Sequence, residues 1–129
     1  MVVNFVFRLP RFPVLFDSGE SLIAARSKAE LAKAIHRLNI ADDAKRNIID
    51  LNGEGFAYYP KITTVTPNIG IRKWNKLQII ELYDARRRPE YPAMRRTSLG
   101  NRKLEEIVRE AVELVLEDER STRSKQGSM

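Results

Sequence analysis

Ten cations fall within residues 72–103: Arg72, Lys73, Lys76, Arg86, Arg87, Arg88, Arg95, Arg96, Arg102 and Lys103, against three carboxylates, Glu81, Asp84 and Glu90. Clusters of this kind hold phosphate groups by neutralising charge and releasing counterions. Residues 104–119 reverse the sign, with seven carboxylates and only Arg109. Two outcomes follow from that order. Either the basic stretch faces an anionic partner, or the acidic stretch covers it within the fold.

Other reactive residues are sparse. There is no cysteine and one histidine, His36. This removes thiolate chemistry, disulfides, sulfur-ligated zinc and multi-histidine metal sites within the chain. Asp50, Asn52 and Glu54, followed by Gly55, match positions 1, 3, 5 and 6 of a calcium loop. Position 12 would then be Lys61 rather than a bidentate glutamate, and the flanks read as strands, so a hairpin turn is the better reading. Asp17 or Glu20 with Asp50 or Glu54 would make a carboxylate pair for acid–base work only if two hairpin tips lay side by side. His36 falls at the edge of a helical apolar face without a serine or aspartate at a triad spacing. No phosphate-binding glycine loop, dinucleotide fingerprint or nucleophile elbow occurs, so no metal or cofactor is expected. Arg95-Arg-Thr-Ser98-Leu has the form favoured by basophilic kinases, which makes Ser98 a candidate phosphorylation site beside two arginines; turn or capping chemistry is the plainer use of the serine.

The elements that would carry these residues read as follows. Val2–Phe7 begins a strand that Pro10 and Pro13 confine to an edge or an extended arm. Val14–Asp17 and Glu20–Ala24 flank a turn containing Gly19. Ser27-Lys-Ala-Glu30 is a capping box opening a helix with Leu31, Ala34, Ile35 and Leu38 on one face, and Asn39 is a plausible stop. Asn47–Leu51 and Glu54–Tyr59 flank Asn52-Gly53, a pair suited to a type I′ turn. Ile62–Thr66 is a further short strand. The turns at 16–20 and 50–54 echo each other faintly, each placing a Gly-Glu pair just after an aspartate. A helix from about Arg72 to Arg88 would bury Trp74, Leu77, Ile80 and Tyr83, with a strand as the alternative for Leu77–Tyr83. Pro89–Gly100 is a loop. A wide apolar stripe from Leu104 to Val115 predicts a long final helix ending near Glu119, with 120–129 a polar, disordered tail.

The expectation is therefore one α+β domain over residues 1–119: a small antiparallel sheet of two hairpins in ββαββ order, then two helices, the last long and amphipathic. At 129 residues, 43% hydrophobic and 31% charged, the chain can build one core. A formal charge of +6 and the ten-cation stretch point to a non-catalytic module meeting nucleic acid or an acidic protein through Arg72, Lys73, Lys76, Arg86, Arg87, Arg88, Arg95 and Arg96. The contrasting class is a small enzyme with a carboxylate site completed at a homodimer interface. Leu114 and Leu116, outside the main stripe of the last helix, would supply a two-fold contact. No targeting or membrane-spanning segment is legible, so a soluble cytoplasmic protein without a membrane partner is expected.

Overall fold

A computed structural model describes residues 2–38, 40 and 42–127, apart from the side chains of 122–127. Six strands form one mixed sheet: β1 (Asn4–Phe5), β2 (Val14–Asp17), β3 (Leu22–Ala25), β4 (Arg46–Ile49), β5 (Gly55–Tyr59) and β6 (Thr64–Pro67). Three helices accompany them: α1 (Lys28–Leu38), α2 (Lys76–Arg86) and α3 (Leu104–Gly127). The spatial order is β1-β6-β5-β4-β2-β3. All pairings are antiparallel except β1 with β6, which is parallel in the register Asn4↔Thr64 and Phe5↔Val65. The α+β class is thus as expected, but the order is not. The two hairpins meet through β2 and β4, β6 extends the sheet beyond β5, and β1 crosses to the far edge beside β6 instead of staying beside its sequence neighbours.

Period-two alternation divides the buried residues between two cores. Val14, Phe16, Ile48, Phe56, Tyr58 and Val65 face α1 and meet its Leu31 and Ile35. Leu15, Ile49, Leu22 and Ala24 face the other way, onto Ile79, Ile80 and Tyr83 of α2 and Ile107, Val108, Ala111 and Val112 of α3. The register agrees, since Leu15 pairs with Ile49 and Phe16 with Ile48, each pair on one face. A sheet covered on both sides explains why β2 is buried along its whole length and why Val14–Phe16 is a continuous apolar run before Asp17.

Local chemistry sets the ends of the helices. The Ser27 hydroxyl accepts from the Glu30 N–H at 3.1 Å, and the Glu30 carboxylate reaches back to the Arg26 N–H at 3.0 Å, one residue beyond the usual partner. Asn39, the expected stop, lies outside the described residues. α2 begins four residues later than expected because Asn75 and Gln78 form the capping box, each side chain accepting from the other's backbone N–H at 2.8–2.9 Å. Trp74 is therefore not on the helix. Its N–H donates to the Gly53 carbonyl, and Leu77, expected inside, is 42% exposed. Leu77–Tyr83 is helical. Residues 89–100 then run back along α2: the Tyr83 hydroxyl donates to the Pro92 carbonyl, Met94 is buried, and Lys76 donates to the Leu99 carbonyl. α3 continues to Gly127 rather than ending near Glu119, for residues 120–126 contain no proline or glycine to stop it.

Candidate anionic-partner interface

Half of the predicted basic segment is used inside the molecule. Arg86 Nε and Nη2 donate to the two Asp17 oxygens at 2.9 and 3.3 Å, fastening the end of α2 to the β2–β3 turn. That carboxylate raises the guanidinium's pKa further above its already high value. Arg87 donates to the Tyr91 carbonyl at 2.8 Å with its Nε 3.8 Å from Asp84. Arg88 pairs with Asp118 of α3 and with Glu90, and lies over the Tyr91 ring at 5.5 Å. Arg96 reaches Asp84 at 3.1 Å, and Arg102 holds Glu110 together with the Arg95 and Thr97 carbonyls. The acidic helix takes two of these arginines, Arg88 and Arg102. The others find carboxylates elsewhere.

Of the remaining cations, Arg72, Lys73 and Lys103 lie at one end of the sheet, around the turn between β4 and β5. Asp50 organises that turn. Its carboxylate is 2% exposed and accepts from the Asn52 and Glu54 N–H groups at 2.9 Å and from the Arg11 N–H at 3.1 Å. Gly53 alone has positive φ (+78°), and its N–H closes onto the Asp50 carbonyl. The result is a three-residue loop with a glycine bulge, not the type I′ turn expected from Asn-Gly, because the buried carboxylate holds Asn52 out of the left-handed region.

Two distant segments are hydrogen-bonded to this turn and a third packs on it. The Arg11 carbonyl accepts from Leu51 N–H at 2.8 Å. The Arg72 carbonyl accepts from Gly55 N–H at 2.9 Å, and Glu54 bridges Lys73 in antiparallel fashion. Leu104 at the start of α3 lies so close to Gly53 that a Cβ there would stand 2.4 Å from its Cδ2. Arg11, Arg72, Lys73 and Lys103 are all exposed and, among the described residues, have no ion pair or side-chain hydrogen bond. Arg95, in the loop along α2, is likewise exposed and unpaired. Arg8 joins the same end. Its guanidinium bonds both Glu54 carboxylate oxygens and lies 5.8 Å from the Phe56 ring centroid. A depression of about 380 Å³ is lined by Arg8, Glu54, Gly55, Asn68, Ile69 and Arg72.

Arg8 and Arg11 are what the charge profile misses, since they sit in an almost balanced stretch far from residue 72. The only signal for them is Asp50 at a turn, which needs N–H partners, and an N-terminal arm whose prolines keep it extended.

The other candidates are not brought together. β2 and β4 are antiparallel, so the turn after Asp17 and the turn after Asp50 lie at opposite ends of the sheet. Asp17 is bound to Arg86, while Asp50 is filled by backbone N–H groups, which leaves no carboxylate pair and accounts for the calcium-like spacing as a hydrogen-bonded turn. His36 is exposed on α1. Ser98 is exposed at φ +58°, its hydroxyl capping nothing, in the turn before a short 3-10 segment. A cleft of about 410 Å³ between β3, α1 and α3 is lined by Arg37, Arg86, Arg87, Arg88 and Asp118. On α3, Leu116 is buried and Leu114 packs against the same core. No helix among the described residues is long and apolar enough to cross a membrane.

Comparison of the chain with protein-family models, with curated proteins and with solved structures finds no match.

Proposed function

We propose that this chain is a non-catalytic binding module, acting in the cytoplasm, whose Asp50–Gly55 end takes a phosphate-bearing polyanion, nucleic acid in the first instance. One observation carries the reading: Arg11, Arg72, Lys73 and Lys103 are exposed and without carboxylate partners among the described residues; a single turn hydrogen-bonds the segments of the first three, and Leu104, next to the fourth, packs on its Gly53. Backbone bonds fix where Arg11, Arg72 and Lys73 start while leaving their long side chains free to adapt, which suits contact with a repeating row of phosphates. Arg86, Arg87 and Arg88 serve the fold in this reading. Arg72 and Lys73 carry the binding together with Lys103, which ends the same basic stretch, and Arg11, which lies outside it.

The test is binding of a labelled oligonucleotide as a function of salt. Affinity should fall linearly on logarithmic axes between 50 and 300 mM salt, and Arg72→Glu with Lys73→Glu should lower the slope by about two. An affinity that does not change with salt, or a double variant that binds like the parent, would refute the proposal.

A further inference from the structure

Exposed apolar side chains are unevenly placed on this molecule. Val2, Val6, Phe7, Leu9, Ile62, Ile69 and Leu77 are the large ones, and all but Leu77 border the β1–β6 edge. The parallel register separates them further. Val2 and Ile62 stand two positions before Asn4↔Thr64, at one end of that pair. Phe7, Leu9 and Ile69 follow its other end, where Arg8 and Arg72 line the same depression as Ile69.

Phe7 differs from its neighbours. It is 89% exposed, the highest value of the seven, and its φ is +74°. The Arg8 N–H donates to the Val6 carbonyl at 3.0 Å across it, which closes a γ-turn of the rarer, sterically costly hand. Bulky residues avoid that region. Backbone strain retained around a ring that buries nothing suggests a use for the ring itself.

We infer that this end of the sheet takes single-stranded nucleic acid, with Phe7 as the platform on which a base stacks and Arg11, Arg72 and Lys73 tracking the adjacent phosphates; the inference rests on the polyanion reading above. Single-strand sites combine these two elements, a cationic track and a free aromatic face. The cations here sit on turns and an extended arm, and no helix or ribbon presents them to a duplex groove. A second copy of the chain is a poorer occupant, because two-fold contact would set two unpaired cationic rims against each other. An anionic bilayer would use Leu9 and Ile69 as readily as the ring, whereas the strained turn singles out Phe7.

The experiment measures the full chain binding a labelled oligothymidylate of twelve residues, the corresponding duplex, and phosphatidylserine-containing vesicles. Phe7→Ala and Phe7→Leu should each weaken oligothymidylate binding roughly 5- to 150-fold with the salt slope unchanged, while Phe7→Trp retains it. The duplex should bind more weakly than the single strand. A Phe7→Leu variant that binds like the parent would overturn the stacking role, as would equal affinity for the duplex or vesicle binding that depends on Phe7 while oligonucleotide binding does not. Those results leave the polyanion proposal intact. Failure of the parent chain to bind any of the nucleic acids would remove both.

Discussion

Replacing Gly55 by alanine tests how the basic end is assembled. A Cβ built at Gly55 would stand 1.8 Å from the Ile71 carbonyl oxygen, a backbone atom that no side-chain rotation can move. Ordinary C···O contacts begin near about 3.3 Å, so the segment 71–74 must withdraw by about 1.5 Å. That movement breaks the Gly55 N–H to Arg72 carbonyl bond and strains the Asn68 N–H to Gly55 carbonyl bond, both 2.9 Å. Two backbone bonds at about 1 kcal/mol each, plus about 1–2 kcal/mol for crowding, give a loss near 3–4 kcal/mol. With a urea dependence of about 2 kcal/mol per molar, the unfolding midpoint should fall by about 1.5–2 M. Trp74 is the only tryptophan, and its indole Nε1 lies 3.4 Å from the same Cβ position, so its fluorescence reports both the local shift and the global transition. Oligonucleotide affinity should fall in parallel, since Arg72 and Lys73 move with the segment. A midpoint within about 0.3 M of the parent would show that the 71–74 segment is not held by close backbone approach, and the proposed origin of the cationic end would be wrong.

Further outcomes follow from the same contacts. Asp50→Ala leaves three backbone N–H groups without their charged acceptor and should cost about 3 kcal/mol in urea unfolding, while Asp50→Asn, which keeps an oxygen for two of them, should cost about half as much. Arg86→Ala and Asp17→Ala should each lower stability by about 1–3 kcal/mol, be non-additive in a double-mutant cycle, and leave oligonucleotide affinity unchanged; additivity would mean the bidentate pair contributes nothing. Burial raises the pKa of Tyr58 and of Tyr83 above the usual tyrosine value. The folded state then retains protons that the unfolded chain loses, so this contribution is complete below about pH 10 and is lost as pH rises through the folded values. Phenolate absorbance should accordingly show two of the four tyrosines ionising late, together with a fall in thermal midpoint over that range.

What could be read from sequence was local. The Ser27–Glu30 cap, the face of Leu31, Ala34 and Ile35, and the apolar stripe of α3 depend on residues three or four apart, and each is found. The start of α2 was misplaced because Trp74 fits the helical stripe as well as it fits the extended segment that docks on Gly53; only the Asn75–Gln78 cap separates the two. The parallel β1–β6 pairing joins residues some sixty positions apart and leaves no periodic trace. For the site, the charge count marks a stretch of chain, but a count does not show which arginines are consumed. Arg86 finds Asp17, sixty-nine residues away, and Arg88 finds Asp118, thirty away. Phe7 read as a strand residue, and its protrusion depends on a γ-turn that side-chain patterning does not encode.

The parallel pairing of β1 also bears on synthesis. Of the six described strands β1 comes earliest in the chain, yet its sheet neighbour among the described residues is at 64–67, so the other five are synthesised before that edge can be completed. Until then the leading segment trails from a half-built domain with Val3 and Phe5 uncovered. The same short span that later borders the cationic end is thus the last piece of the sheet to be seated and, with only two residues of ladder, the first that would detach.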